Sequence, residues 1–254
     1  MNYDAFVNMV AAVGGSLLEN GAEIYRVEES MQRIFDAYGI TKYNVFAIPS
    51  CIILTVSDDE GHSYTKLLRI EAKGTNLYMV ERFNGLCRNI CKDTPEFEKV
   101  HDDIKKINEE PQYNFFLQIL SRALIASAFT LFFGGTISDA IFALGCGAAI
   151  KFTTHIMGKF RLNSFFTNIM ASAAASAFAV FAVHIGWADN VDKMIIGTFM
   201  NLVPGVAITN LMRDMISGDL MAGVIKLTEA LLVALAIALG AGMTLSVYHM
   251  VLGG

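Results

Sequence analysis

The chain has 254 residues, of which 54% are hydrophobic and only 17% are charged, and its formal net charge is -5. So apolar a composition excludes an ordinary water-soluble protein. The acidic balance argues against nucleic acid as a partner, because nucleic-acid binding needs a basic surface. Residues 1–112 hold 18 of the 24 acidic side chains and 12 of the 19 basic ones. We therefore expect a water-facing domain at 1–112 and a membrane domain at 113–254.

Residues 1–112 show the residue spacing of an α+β domain. Apolar residues recur at helical intervals over 3–18 and 22–38, and the second helix should bury Ile24, Val27, Met31, Ile34 and Phe35. Three strand-like runs follow, "KYNVFAI", "CIILTVS" and "SYTKLLRI", and their short connections predict a three-stranded antiparallel sheet. Two more helices are expected over 76–91 and 95–109. The opening "MNYDAFVNMV" lacks the basic, apolar pattern of a signal peptide, so we expect this domain on the cytoplasmic side.

The four cysteines indicate neither a disulfide framework nor a zinc site. Cys87 and Cys91 lie four residues apart on a predicted helix, and no pair of histidines is near them in the sequence. Two thiols alone make a poor zinc site. We therefore expect Cys51, Cys87, Cys91 and Cys146 to be reduced thiols, and we expect no metal and no other cofactor.

Five apolar stretches in the second half predict an all-α, polytopic membrane domain. They cover residues 113–134, 137–151, 164–187, 194–212 and 219–252. The third and fifth are long enough to cross a bilayer alone, and the others need protein neighbours. The segment 151–161 carries Lys151, Lys159 and Arg161, which indicates a cytoplasmic loop. Five spans then place the N-terminus inside the cell and the C-terminus outside.

The stretch "NLVPGVAITNLMRD" interrupts the fourth predicted span with Pro204 and Gly205. Pro204 has no backbone N–H and clashes with the preceding helical turn. A broken helix in lipid survives only inside protein or beside a water-filled cavity, and such breaks often form solute sites in transporters. The side chains that would line a solute site here are Asn201, Thr209, Asn210, Arg213 and Asp214. These groups suit a small zwitterion or organic acid, although a plain kink followed by a cytoplasmic helix end is the alternative.

Charged residues near the predicted spans are candidates for coupling transport to an ion. Asp139 either caps the second span or acts as a gate. Lys226 and Glu229 lie three residues apart on the fifth span, where they form either a simple surface pair or a functional pair. A protonatable carboxylate among Asp139, Asp214 and Glu229 would couple transport to protons.

Several segments together resemble the threonine/serine exporter family. They are "ENGAEIYRVEESMQRI", "FAIPSCIILTVSDDEG", "RIEAKGTNLYMVERFNGLCRNI", "LFFGGTISDAIFALGCG" and the last two apolar stretches from Asn201 onwards. The resemblance covers nearly the whole chain. The positions that match the family are Gly21, Glu23, Arg26, Glu28, Asp139, Pro204, Gly205, Thr209, Asn210, Arg213, Asp214, Gly218, Asp219 and Glu229. Asp219 thereby joins Asp139, Lys226 and Glu229 as a coupling candidate.

This resemblance implies a transporter of the bacterial inner membrane, not an enzyme. It implies export of small amino acids such as threonine and serine, or of a dicarboxylate, driven by the proton-motive force. Single-chain members of the family carry a second membrane module, whereas this chain ends at Gly254 after one module. It therefore resembles the larger subunit of the split, two-protein form. A small companion membrane subunit, a homo-oligomer, or both are expected partners in the lipid bilayer.

The motif "GAEIYRVEE" supports a competing function. Glu23 and Arg26 lie three residues apart, and Glu19 precedes Glu23 by four. Paired carboxylates can perform acid–base chemistry or bind a metal, as in a membrane-anchored hydrolase-like enzyme or sensor. No Ser, Cys or His nucleophile pattern accompanies them. A third hypothesis makes residues 1–112 a regulatory or assembly module of the exporter.

Overall fold

The computed structural model describes residues 1–71, 74–111, 113–160 and 162–252. These residues form three strands, Tyr43–Ile48 (β1), Cys51–Ser57 (β2) and Ser63–Arg69 (β3). The helices are Tyr3–Glu19 (α1), Ile24–Ala37 (α2), Leu77–Asp93 (α3), Phe97–Asn108 (α4), Phe115–Phe132 (α5), Ile137–Lys159 (α6), Ser164–His184 (α7), Val191–Phe199 (α8), Gly205–Ile216 (α9) and Leu220–Leu252 (α10). Arg161, the predicted boundary residue 112 and the last two residues lie outside the described part.

The chain divides into two compact units. The first combines Met1–Pro111 with Gly205–Thr228, and the second combines Gln112–Pro204 with Glu229–Gly254. The sequence placed the boundary at 112 and assigned everything after it to the membrane domain. The first unit includes α9 and the first turns of α10 beside the N-terminal residues, and the membrane assignment of 113–254 stays a prediction.

In the first unit, residues 1–111 form the helices and the three-stranded sheet that the spacing of their apolar residues predicts. β1, β2 and β3 form an antiparallel sheet in that order, with Ile48 opposite Cys51 and Ser57 opposite Ser63. Alternate β2 residues face the core, and the five apolar residues predicted for α2 have no exposed surface. Ala222 of α10 belongs to the same buried cluster. The first unit therefore has a single core to which α10 also contributes.

Four helices of the described chain are long and apolar enough to cross a membrane: α5, α6, α7 and α10. α7 buries its small residues Ala171, Ala175, Ala179 and Ala182, as expected for a helix that packs closely against its neighbours. Close packing recurs at Gly147 of α6, where an added methyl group would overlap the backbone of Arg122 and Ala123.

Two membrane elements differ from the sequence prediction. Residues 151–159 of the predicted loop 151–161 are helical, because α6 continues to Lys159. The predicted fourth span, 194–212, is not one helix, because α8 ends at Phe199 and α9 begins at Gly205. Both helices are too short to span a bilayer alone. The expected number of five spans is therefore not confirmed.

Candidate functional site

The N-terminal motif begins at a turn that requires glycine. Gly21 follows α1 with φ of +88°, a conformation that side chains disfavour, and a Cβ atom there would lie 2.8 Å from the carbonyl oxygen of Gly74. Its N–H donates to the carbonyl of Leu18, which ends α1. The turn brings Glu23 to the start of α2 as its N-cap residue, but the Glu23 side chain does not cap that helix.

Asp214 of α9 supplies part of the missing cap. Its Oδ1 accepts the backbone N–H of Ile24, the first residue of α2, at 3.2 Å. Its Oδ2 accepts a hydrogen bond from Lys226 Nζ at 2.6 Å. The Asp214 side chain is fully buried and that of Lys226 is 12% exposed. A carboxylate near the first N–H groups of a helix also interacts favourably with the helix dipole.

Two further contacts join the N-terminal motif to α9. The Asn210 side-chain amide donates to the carbonyl of Gly21 at 3.1 Å. Arg213 pairs with Glu23, whose other oxygen lies 3.3 Å from Arg26. The Glu23 carboxylate is buried, whereas about half of each arginine side chain is exposed. We call Gly21, Glu23, Arg26, Asn210, Arg213, Asp214 and Lys226 the α2–α9 polar cluster.

Three carboxyl groups of the first unit have raised pKa values: Glu19, whose pKa burial raises, and Glu28 and Asp219. Burial raises the pKa of Glu28 above its ordinary 4.5, and the nearby negative charge of Asp219 raises it further. A hydrogen bond from the Ala47 N–H to Glu28 Oε1, at 2.7 Å, acts in the opposite direction. Burial and the charge of Asp214 likewise raise the pKa of Asp219, while Lys226 lowers it. All three carboxyl groups thus hold their protons more tightly than exposed ones.

Asp139 in the second unit is fully engaged in hydrogen bonds. Its Oδ2 accepts the N–H of Thr136, completing a capping box at the start of α6. Its Oδ1 accepts the N–H groups of Asp189 at 2.7 Å and Asn190 at 2.9 Å. The Asn190 side-chain amide donates to Oδ2 at 2.9 Å. These bonds fit the capping interpretation of Asp139, and its role as a gate or coupling group stays a prediction.

The polar residues near Pro204 and Gly205 have partners in the chain. Asn201 donates from its side-chain amide to the carbonyls of Arg122 and Thr198. The Thr209 hydroxyl donates to the carbonyl of Gly205 at 3.1 Å. Glu229 belongs to the second unit, whereas Lys226 belongs to the first, where it contacts Asp214. The predicted solute-lining residues therefore have different partners. Asn201 bonds to Arg122 and Thr198, and Thr209 bonds to Gly205. Asn210, Arg213 and Asp214 contact the N-terminal motif.

The sequence singled out both halves of the α2–α9 polar cluster but did not pair them. Asp214 and Ile24 are 190 positions apart, and no local pattern connects such distant segments. Asp189 and Asn190, the partners of Asp139, were missed, although an Asn before a helical run is a usual start signal. Among the described residues, no group of three or more His, Cys, Asp or Glu side chains could hold a metal ion.

The apolar helices of the second unit, together with the mixed α/β first unit, define a polytopic membrane protein. A family model described as "Putative threonine/serine exporter" matches residues 8–248. The chain belongs to the threonine/serine exporter family.

Two curated relatives are similar to the chain at low identity. A protein of Corynebacterium glutamicum named "Threonine/serine exporter" is 22% identical over 244 residues, which is 93% of this chain and 50% of the relative. A protein of Mycobacterium tuberculosis (strain ATCC 25618 / H37Rv) named "Probable threonine/serine exporter" is 20% identical over 226 residues, 88% of this chain and 42% of the relative. The chain spans half of these relatives or less. No solved structure matches it significantly.

Proposed function

We propose that this protein is part of a secondary transporter that exports small amino acids, such as threonine and serine, or small organic acids from the cell. The observation that carries the proposal is the family match over residues 8–248. Four apolar helices long enough to span a bilayer support it. The relatives' printed names give the solute class.

The solute site that we propose lies beside Pro204 and Gly205. α9 starts at Gly205, directly after a proline. The first N–H groups of any α-helix lack intrahelical acceptors and attract anions. The carboxylate of an amino acid or organic acid would meet this helix start, as in transporters whose interrupted helices bind solutes. In this proposal Asn201, which donates to the carbonyls of Arg122 and Thr198, and Thr209, which donates to the carbonyl of Gly205, shape the site more than they bind the solute.

The coupling group that we propose is Asp219, together with Glu28. Because their pKa values are raised, these two carboxyl groups bind a proton more readily than an exposed carboxyl group does at the same pH. Asp219 directly follows Gly218, whose φ of +100° marks the turn between α9 and α10. A change of charge at Asp219 would therefore act on the helix start of α10 and on α9. The first unit, in this proposal, faces the cytoplasm and controls the position of α9 through the α2–α9 polar cluster.

Efflux from cells tests the proposal. Cells that lack their own threonine exporters and express the chain, with any companion subunit encoded beside it, are loaded with labelled threonine, serine or succinate. We expect faster loss of at least one solute than from cells with an empty vector. Asp219→Asn should remove the dependence of efflux on the proton gradient, whereas Asp103→Asn, in an exposed ion pair of α4, should not. Unchanged loss of all three solutes would contradict the proposal.

The enzyme alternative gains no support from the geometry. The Glu23 carboxylate is paired with two arginines, and Glu19 is on the preceding helix, α1. Both carboxylate oxygens of Glu23 are occupied by guanidinium groups, whereas a general base needs an oxygen within hydrogen-bond reach of the proton that it removes.

A further inference from the structure

A pocket between α2 and α3 in the first unit takes no part in the export proposal. Its volume is about 490 Å³, within the range of small-molecule sites. The residues that line it are Ser30, Arg33, Cys87, Arg88, Cys91 and Lys92. Half of them are cationic and none is acidic, in a chain whose net charge is -5. The pocket is therefore a local concentration of positive charge on an acidic protein.

The cations of this pocket contribute little to the stability of the fold. Arg33 contacts Glu29 at 2.6 Å, but both side chains are exposed, and such pairs add little stability. Arg88 and Lys92 form no salt bridge with any residue in the described ranges. They lie four positions apart on α3, where like charges repel. Lys92 lies in the last turn of α3, where a positive charge interacts favourably with the helix dipole. This interaction is weaker for Arg88, which lies one turn earlier.

Ser30 and the two cysteines form the base of the pocket. Cys87 is buried, and Ser30 of α2 lines the same pocket. Cys91 is partly exposed and lies one turn further along α3. The guanidinium groups of Arg33 and Arg88 come from facing helices. Each planar guanidinium can bind a phosphate or carboxylate through two parallel hydrogen bonds.

We propose that this pocket binds a small organic polyanion, of the size of a nucleoside phosphate or a tricarboxylate. Arg33, Arg88 and Lys92 meet its negative charges, and Ser30 with the two thiols forms the floor. Such a ligand would relieve the repulsion between Arg88 and Lys92 and would hold α2 against α3. Because α2 carries Glu23 at its start, the ligand would stabilise the helix that contacts α9. The pocket is thereby a site for control by a cytoplasmic metabolite.

Binding to the purified full-length chain tests this site. The probes are ATP, citrate and inorganic phosphate, with adenosine as the uncharged control. Calorimetry gives the Kd, and the alkylation rate of Cys91, in a Cys51→Ser background, reports occupancy of the pocket. The test variant is Arg88→Gln with Lys92→Gln. The matched control is Lys99→Gln with Lys105→Gln, which removes two exposed cations from α4.

We expect at least one polyanion to bind and to slow Cys91 alkylation in the wild-type and control proteins. The test variant should bind it about tenfold more weakly or worse, because each hydrogen bond between charged groups is worth about a factor of ten. A stronger effect of ATP than of citrate would assign the site to nucleoside phosphates, and the reverse to polycarboxylates. The proposal is overturned if no polyanion binds at millimolar concentration. It is also overturned if adenosine protects equally, if binding leaves Cys91 unprotected, or if the control variant loses as much affinity.

Discussion

Asp214 is a buried carboxylate with two partners from different parts of the chain. One oxygen caps α2 at Ile24, and the other holds Lys226 at 2.6 Å. The attraction between two buried charges has to offset the loss of their hydration, so an intact pair stabilises a protein only modestly. Removing one partner is far more costly, because the other charge stays buried without compensation. We therefore expect a large loss of stability when Asp214 alone is replaced, although the intact pair with Lys226 adds only modest stability.

Asp214→Asn tests this asymmetry. We expect it to destabilise the first unit by roughly 3–5 kcal/mol, because it removes the charged partner that lies 2.6 Å from the buried Lys226 ammonium. The double variant Asp214→Asn with Lys226→Met should recover much of that loss, since it removes both charges. Thermal and denaturant unfolding of the detergent-solubilised protein measures the difference.

The matched control is Asp103→Asn, which removes the same charge from an exposed Asp103–Lys106 pair at 3.2 Å. Its cost should stay below about 1 kcal/mol, as for most surface ion pairs. If Asp214→Asn costs no more than Asp103→Asn, then Asp214 and Lys226 do not form a buried pair.

Glu28 gives the first unit a pH dependence of a definite sign. Burial raises its pKa above the ordinary 4.5, so the folded state holds the proton more tightly than the unfolded state does. The resulting stability is fully present below pH 4.5 and is lost as the pH rises through the raised pKa of the folded state. Glutamine does not titrate, and its amide oxygen can still accept the Ala47 N–H. The variant Glu28→Gln should therefore not lose this stability as the pH rises.

We therefore expect the stability of Glu28→Gln relative to the wild type to increase between about pH 4 and pH 8. Unfolding curves at several pH values measure this difference in stability. The control is Glu81→Gln, a substitution at an exposed position. A stability difference between Glu28→Gln and the wild type that does not change with pH would contradict the assignment.

At the scale of elements, close helix packing in the second unit depends on particular glycines. Gly240 of α10 faces Ser172 and Ile169 of α7 so closely that an added methyl group would overlap the Ser172 hydroxyl and the Ile169 carbonyl. Gly242, two positions on, faces open space. In a membrane, where lipid is as apolar as the helices, such close approach is a main source of helix association.

Gly240→Ala and Gly242→Ala form a matched pair on one helix. We expect Gly240→Ala to lower the melting temperature, with a cost of about 1–3 kcal/mol for the overpacked contact. Gly242→Ala should cause no loss, because alanine is the better helix former and meets no neighbour. Equal melting temperatures for the two variants would show that α7 and α10 do not pack as described.

The elements differ in how far the sequence predicts them. α1, α2 and the three-stranded sheet follow from apolar spacing and short turns, because their core contacts are mostly local. α6 was ended too early at 151, because Lys151 and Lys159 indicated a loop, yet long basic side chains are tolerated near helix ends. The sequence could not reveal that α9 contacts the N-terminal motif. That contact depends on Asp214, Arg213 and Asn210 reaching residues some 190 positions away.

At the scale of the whole molecule, α10 belongs to both compact units. Its first turns, up to Thr228, are counted with the first unit and the remainder with the second. With 33 residues it is about 50 Å long, which exceeds the roughly 30 Å of a hydrocarbon core. α10 is one continuous helix between these two sets of residues. This continuity is the physical reason that we link the α2–α9 polar cluster to transport.

Solute flux in proteoliposomes tests the central claim most directly. The chain is purified with any small membrane protein that copurifies and is reconstituted with an imposed pH gradient. We predict gradient-driven flux of threonine, serine or succinate above that of empty liposomes. Flux should fall in Arg213→Gln, which breaks the pair with Glu23, when the same amount of protein is incorporated. Absence of flux for all three solutes, or full flux in Arg213→Gln, would contradict the account.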